Sequence, residues 1–342
     1  MDKLPTKSLF EWYDLNYRDL PWRSKWPSLS SPYNVLVSEF MLQQTQVKVV
    51  IPYYNEFIKK WPNLYSLSKS GIDDVLNAWA GLGYYSRARN LHKTSKIIIS
   101  EYDGIFPRDI KLLKKLPGIG EYTSAAILLI AFNQIEAAID TNIKRILIRY
   151  FGKYDQSNLN QNFLKIVFKN SLQFNRNSDF PQALMDLATS ICKVKNPECN
   201  ICPLNVSCKT FQENLYFLLK RKKNNINKKP IRKGTIFVIF NQEGKILMER
   251  RPDKGLFASM LVLPGYGWDN SESISFSKLE KLNLKTIEKK IIHNFSHFKT
   301  LITVKTAYVN QNLKIGKKYN WYSLNQKNLP NLMLKCLKLV ND

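Results

Sequence analysis

From Leu9 to about Phe211 the apolar positions of the 342-residue chain recur with helical spacing, interrupted by short Pro/Gly turns. Ser31-Pro32 reads as a helix start, with serine as N-cap and proline in the first turn. The run Val35, Leu36, Val37, Phe40, Met41, Leu42 that follows is wide enough for a helix buried on most sides. Further helices are predicted over Ile51–Trp61, Asp73–Gly81, Ser86–Ser100 and Gln161–Leu172. The longest apolar stretch, Ala125–Phe132, is a buried helix or strand and is too short to cross a membrane. Past Lys233 the pattern becomes β-rich. Thr235–Phe240 and Lys245–Arg250 flank Asn241-Gln242-Glu243-Gly244 as a hairpin, and strands are expected at Leu301–Val309 and Lys318–Tyr322. Between the two patterns, Lys220–Lys233 holds eight basic residues and no acidic one, broken by asparagines and Pro230. That segment is a linker or a solvated strip.

Composition sharpens this layout. Hydrophobic residues make up 44% and aromatics 12%, which excludes a disordered chain. Lysine and arginine number 52 against 27 acidic residues, a formal net charge of +25. A surplus of that size implies a polyanionic partner, nucleic acid or an anionic membrane surface, unless it is a lysine-rich compositional drift. No apolar run near Met1 has signal-peptide length, so a soluble chain in a reducing, cytoplasmic compartment is expected, nucleoid-associated if bacterial.

Four of the five cysteines, Cys192, Cys199, Cys202 and Cys208, are separated by six, two and five residues. In a reducing compartment such a cluster fits metal binding better than disulfides. Four thiolates suit zinc or an iron–sulfur cluster, and zinc ribbons usually pair two distant two-residue knuckles where here only Cys199 and Cys202 form one. Lys193 and Lys195, inside the loop, are placed to meet phosphates. Cys336 stands apart as a buried thiol. Leu116-Pro117-Gly118-Ile119-Gly120 lies between two helical segments, where glycines let a backbone approach a phosphate at a helix start. Two carboxylates complete the candidate chemistry. Glu39 sits in the apolar run, where burial would raise its pKa as a general acid requires, although a solvent-facing position on an amphipathic helix is as natural. Asp140 precedes a helix with Ile143, Ile146 and Leu147 on one face, and capping that helix is sufficient reason for it.

Taken together, the cysteine spacing, the glycine turn followed by Thr123–Phe132, and Asp140 resemble the helix-hairpin-helix iron–sulfur glycosylases, the endonuclease III and MutY enzymes. Ser38-Glu39-Phe40-Met41-Leu42-Gln43-Gln44-Thr45-Gln46 and Gly81-Leu82-Gly83-Tyr84-Tyr85-Ser86-Arg87-Ala88-Arg89-Asn90 resemble the MutY adenine glycosylase family in particular. The resemblance implies a mainly α helix-hairpin-helix glycosylase core (1–212) whose loop 192–208 carries one [4Fe–4S] cluster on the four cysteines. A basic linker (213–229) would follow, then a smaller α+β MutT/Nudix-like domain (230–342) that recognises 8-oxoguanine.

It further implies a monomeric enzyme that binds double-stranded DNA, flips adenine from an A:8-oxoguanine or A:G mismatch and hydrolyses its glycosidic bond. Glu39 would protonate N7, Asp140 would stabilise the oxocarbenium-like sugar, and Asn142 would hold the two acids in register. Bifunctional relatives carry a Schiff-base lysine where this chain has Tyr122, so the enzyme is expected to be monofunctional, with Lys144 able to act only incidentally. Pro117, Gly118 and Gly120 would grip phosphate. Gln44 and Tyr84, with Thr45 and Leu82 beside them, would enter the stack next to the orphaned base, and Arg18, Trp22, Arg23 and Gln182 would line the adenine pocket. Core packing accounts equally well for Trp22. Leu263-Pro264-Gly265 resembles the opening of a Nudix box, but no acidic helix follows to hold a divalent metal, so nucleotide hydrolysis is not expected. Phe295-Ser296-His297-Phe298, with Ser296 and His297 at its tip, matches the loop by which that family senses 8-oxoguanine. A thymine-specific relative and a non-catalytic DNA-binding protein remain the alternatives.

Overall fold

A computed structural model describes residues 2–154, 161–172, 175–216, 229–252, 255–269, 279, 282–295, 297–309, 319–323 and 329–341. Most of the basic linker, as well as Ser296, lies outside them. The helices are α1 (Thr6–Asn16), α2 (Pro32–Leu42), α3 (Val47–Lys60), α4 (Leu64–Lys69), α5 (Ile72–Ala78), α6 (Ser86–Glu101), α7 (Ile110–Leu113), α8 (Glu121–Phe132), α9 (Thr141–Tyr150), α10 (Gln161–Asn170), α11 (Asp179–Ser190), α12 (Lys209–Gln212) and α13 (Asn331–Asn341). Two compact units divide the chain: Met1–Ile72 with Arg87–Asn224, and Asp73–Ser86 with Asn225–Asp342. Among the described residues no helix is long and apolar enough to cross a membrane.

The first unit is helical and organised around α8, whose residues from Thr123 to Ala131 are all buried. A helix apolar on every side must lie in the middle of a domain, and α2 and α7 pack against it. This resolves Ala125–Phe132 as helix. Pro32 opens α2 as expected, but the Ser31 side chain makes no capping bond, so proline and packing alone set that start. α9 turns Ile143, Ile146 and Leu147 inward and packs on α11. Asp109 caps α7, accepting from Lys111 N (2.8 Å) and Leu112 N (2.9 Å), and so sets the approach to the glycine turn.

The second unit is built on a sheet of β1 (Ile231–Asn241), β2 (Ile246–Arg250), β3 (Leu261–Val262), β4 (Gly265–Tyr266), β5 (Lys285–Thr286), β6 (Ile291–Asn294), β7 (Lys299–Val309) and β8 (Tyr319–Tyr322). The order β3-β2-β1-β7-β5 has β4 on β1, β6 on β7 and β8 on β2. The expected hairpin is present, with Phe240 opposite Ile246, while β1 and β7 run parallel along their whole length. α13 covers one face: Leu332, Met333, Cys336 and Leu337 join Ile236, Val238, Val304 and Trp268 in a single core. Cys336 is therefore a buried core thiol. Arg250 forms a forked ion pair with Asp73 (3.0 and 3.2 Å), which ties the segment Asp73–Ser86 into this unit.

Candidate active site

Glu39 projects from the last turns of α2 and is 9% exposed. The apolar surroundings are the main reason its carboxyl is pushed up to about 7, and the negative charge of Asp140 adds to this. The Arg23 guanidinium and a hydrogen bond from Tyr122, at the start of α8, oppose it. Burial beside these two acids also raises the Tyr122 hydroxyl well above the usual phenol range, so it stays protonated and donates to Glu39. A carboxyl poised near neutrality, held by a neutral hydroxyl and facing a second carboxylate, can deliver a proton at physiological pH.

One cavity opens on Glu39, and Arg18, Trp22, Arg23 and Gln182 line it as expected, with Leu42, Val47, Ile130 and Met185 as apolar wall. Trp22 meets Tyr54 edge to face and is 7% exposed, so it serves both the core and the cavity wall. Asp186, which the sequence reading missed, organises the cationic side of this cavity. Its carboxylate, almost wholly buried, accepts from Arg18 Nε (2.6 Å) and twice from Arg23 Nη1 (3.0 and 2.9 Å). Its place on α11, four residues after Gln182, was the available signal.

Asp140 does cap α9, accepting from Asn142 N (2.9 Å) and Ile143 N (2.7 Å) through Oδ1. Its Oδ2 accepts from Asn142 Nδ2 at 2.8 Å, so capping and a second task coexist in one side chain. Asn142 bonds Asp140 and, through Oδ1, Arg145 Nη1 (3.0 Å); the hydrogen bond to Glu39 comes from Tyr122. Arg145 was not picked out from the sequence. It donates to the carbonyls of Cys192 (3.0 Å) and Ala188 (2.8 Å), joining Asp140 to the cysteine loop by consecutive hydrogen bonds.

Cys192, Cys199, Cys202 and Cys208 line one pocket, together with Ile191, Pro197 and Phe211. Arg149 Nη1 lies 3.3 Å from Cys192 Sγ and also donates to the Lys193 carbonyl (2.7 Å), while Nη2 donates to that of Val194 (3.1 Å). Burial raises the thiols of Cys199 and Cys208 and pushes Cys202 up to about 12. Among the described residues no three His, Cys, Asp or Glu side chains converge closely enough to hold a single metal ion. Lys193 pairs with Glu198 at the surface of the loop.

The glycine turn runs from α7 into α8. Gly118 has φ +80°, and a Cβ there would lie 2.7 Å from the Phe40 ring and 2.8 Å from Asn90 Cβ. Gly120 caps α8, and a Cβ there would meet nothing within 4 Å, leaving the helix start open to an incoming group. The Pro117 carbonyl is held by Thr94 Oγ1 at 2.9 Å. Beside Glu39, the end of α2 is gripped by Arg87, which the sequence reading quoted only as part of a motif. Buried at 5% exposure, it donates to the carbonyls of Phe40 (2.9 Å) and Met41 (2.7 Å) and to Thr45 Oγ1 (3.1 Å). Gln44, in the turn thus fixed, is exposed and left-handed (φ +61°). In the second unit Tyr84 is likewise left-handed (φ +48°) and 44% exposed, whereas Leu82 is buried. Left-handed backbone at residues with side chains is uncommon and concentrates at functional positions. His297 is exposed at the turn between β6 and β7.

The chain is similar to known proteins over most of its length. Residues 37–167 match the HhH-GPD superfamily of base excision DNA repair proteins, and 235–339 match the NUDIX domain. The adenine DNA glycosylase of Buchnera aphidicola subsp. Baizongia pistaciae is 37% identical over 94% of this chain and 89% of its own length. That of Buchnera aphidicola subsp. Schizaphis graminum is 35% identical over 97% of both. A thermostable thymine-DNA glycosylase of known structure superposes with a TM-score of 0.55 at 29% identity, covering 60% of this chain and 94% of that one. With two relatives matched above 30% identity from one end to the other, the chain belongs to the adenine DNA glycosylase family, the MutY enzymes of base excision DNA repair.

Proposed function

We propose that the protein excises adenine mispaired with 8-oxoguanine or guanine by monofunctional hydrolysis, leaving an abasic site. The observation that carries this reading is Glu39, buried with its carboxyl near pH 7 and bonded by Tyr122 at the position where bifunctional relatives place a lysine. A neutral adenine is a poor leaving group, so protonation of N7 by Glu39 is the step that lets the base depart. Arg18, Trp22, Arg23 and Gln182 would receive the flipped base in the cavity that opens on Glu39. Positive charge then builds on the sugar, and the Asp140 carboxylate, held by Asn142, would stabilise it until water adds. Tyr122 has no amine with which to trap the sugar aldehyde, so strand cleavage would not follow. Gln44 and Tyr84 would fill the space the base leaves, and Ser296 with His297 would read the opposing lesion.

Cys192, Cys199, Cys202 and Cys208 would hold a [4Fe–4S] cluster. The four thiols line one pocket, which suits a cluster ligated by cysteine alone. When bound, the cluster supplies the charge that keeps buried thiols ionised and fixes the loop.

Excision assays test the reading. Duplexes carrying A:8-oxoguanine, A:G and T:G are incubated with the protein and divided between alkaline and neutral work-up. Excision of adenine, with strand breaks after alkali alone, is expected. Preferential release of thymine would favour a thymine-specific enzyme, and full-rate cleavage without alkali would refute the role of Tyr122. Purified protein should contain about four irons, the content of one such cluster; stoichiometric zinc without iron would overturn the cofactor assignment.

A further inference from the structure

The end of the basic run, where the chain enters β1, is an obvious candidate for phosphate contact. Two of its side chains, those of Lys229 and Arg232, have other partners. Lys229 Nζ donates to the carbonyl of Phe295 at 2.9 Å, and the Pro230 carbonyl accepts from Lys299 N at 2.9 Å. The Arg232 guanidinium lies 3.9 Å over the ring of Phe298. Phe298 in turn stacks on Phe295 (centroids 4.7 Å, planes 27° apart), and Phe295 N donates to Phe298 O at 2.9 Å to close the turn. Parallel pairing sets Ile231 beside Lys299 and Arg232 beside Thr300, so the entry to β1 runs along the base of this turn.

We infer that Lys229 and Arg232 are positioning residues that hold the Phe295–Phe298 turn in the shape needed to read the base opposite adenine, and do not serve as phosphate contacts. The inference rests on the lesion-reading role proposed for that turn. The turn exposes His297, while Phe295 packs on Phe257 and His293 and Phe298 is buried. Its Phe295 carbonyl takes the Lys229 ammonium as donor, and its Phe298 ring is clamped beneath a planar cation, a contact that favours one ring orientation. Discrimination between 8-oxoguanine and guanine depends on one or two polar contacts being preset, so a loosened tip costs selectivity before it costs catalysis. Glu39 and Asp140 lie in the other unit, and their chemistry does not depend on Arg232.

The test uses the full-length protein in single-turnover excision from A:8-oxoguanine and A:G duplexes across a range of salt. Arg232→Ala should lower the A:8-oxoguanine to A:G rate ratio by roughly tenfold, the size of a partly buried cation contact, and Lys229→Met, which removes an exposed hydrogen bond, by roughly threefold. The A:G rate and the salt dependence of binding should stay as in the parent. Arg232→Lys, which keeps a cation over the ring, should restore most of the ratio. Equal losses on both duplexes, with a salt slope lower by about one, would mark phosphate contacts and overturn the inference; so would an unchanged ratio in both variants. Thermal melts identify an Arg232→Ala protein that fails to fold, in which case Lys229→Met and Arg232→Lys decide. His297→Ala separates the two layers of argument. If it leaves the ratio intact, the turn does not read the lesion and the inference falls with that role. If it collapses the ratio while Lys229→Met and Arg232→Ala do not, the positioning inference fails alone.

Discussion

At pH 8 the folded protein holds the Glu39 carboxylate in an apolar site beside Asp140, whereas the unfolded chain leaves it in water. A carboxyl raised to about 7 from the ordinary 4.5 binds its proton more tightly when folded, so its contribution to stability falls as pH rises from about 4.5 through 7. The penalty above that window is on the order of 3 kcal/mol. Glu39→Gln should therefore melt at a higher temperature than the parent at pH 8 and gain nothing at pH 4, while losing excision. Scanning calorimetry at the two pH values checks this. In the parent, excision should decline as pH rises past 7, because the acid form is the proton donor. Asp186 bears on that decline through Arg23, which opposes the rise in the Glu39 pKa. Removing its charge by Asp186→Asn leaves Arg23 unneutralised beside Glu39, which lowers the Glu39 pKa and moves the basic limb of the pH–rate profile to lower pH. The same change uncouples a buried ion pair at a cost of about 3–5 kcal/mol, so melts must accompany the kinetics. These residues also show how far a sequence can be read at this scale. Glu39 and Asp140 could be picked out, but each had an equally good structural explanation until its partners were known. Asp186 offered only its spacing from Gln182, because the arginines that give it meaning are more than 160 residues away in the chain.

Among the elements, α8 and the turn that leads into it carry the most consequence. The apolar run marks a buried element but leaves helix or strand open, because eight consecutive apolar residues carry no period; the structure makes it α8. The cysteine spacing forecasts a shared site, since close sequence neighbours cannot travel far apart. What stayed hidden is the packing of Phe40 and Asn90 against the glycine turn, which involves α2 and α6 at long sequence range. Gly118→Ala adds a methyl where 2.7 Å separates it from the Phe40 ring, at a backbone angle that L-residues avoid. The expected outcome is a loss of about 1–3 kcal/mol in stability. Because Phe40 neighbours Glu39, a lower single-turnover excision rate should accompany it. Denaturant titration and rapid-quench assays measure the two. A Gly118→Ala protein with parental stability would mean the turn is looser than described. Ser31 illustrates the opposite error: a residue of the right type at a helix start need not bond there once Pro32 has fixed the backbone.

For the molecule as a whole, a net charge of +25 decides how DNA is met. Binding that releases counterions weakens steeply with salt, and a contact with six or more phosphates loses at least about a thousandfold between 50 and 200 mM. Affinity for undamaged duplex should fall by that order, while the preference for A:8-oxoguanine over undamaged DNA should hold or increase. Fluorescence anisotropy at several salt concentrations measures both; a shallow slope would mean that the surplus charge is compositional. A helical part and a β-rich part were legible from periodicity. The grouping of Asp73–Ser86 with the C-terminal unit was not, since it depends on long-range contacts such as Arg250 with Asp73.

The full-length parallel pairing of β1 with β7 bears on how the chain is made. β1 leaves the ribosome with nearly all of its residues from Gly234 onward destined for burial, yet its long partner follows only about 70 residues later. At about 5–20 residues per second that delay is several seconds, during which only the edge of β1 that takes β2 and β4 can be covered. Nascent chains stalled before residue 299 should therefore aggregate or recruit chaperones, and chains stalled beyond residue 309 should not. Synthesis of the second unit has a vulnerable interval that strand order creates and elongation rate times.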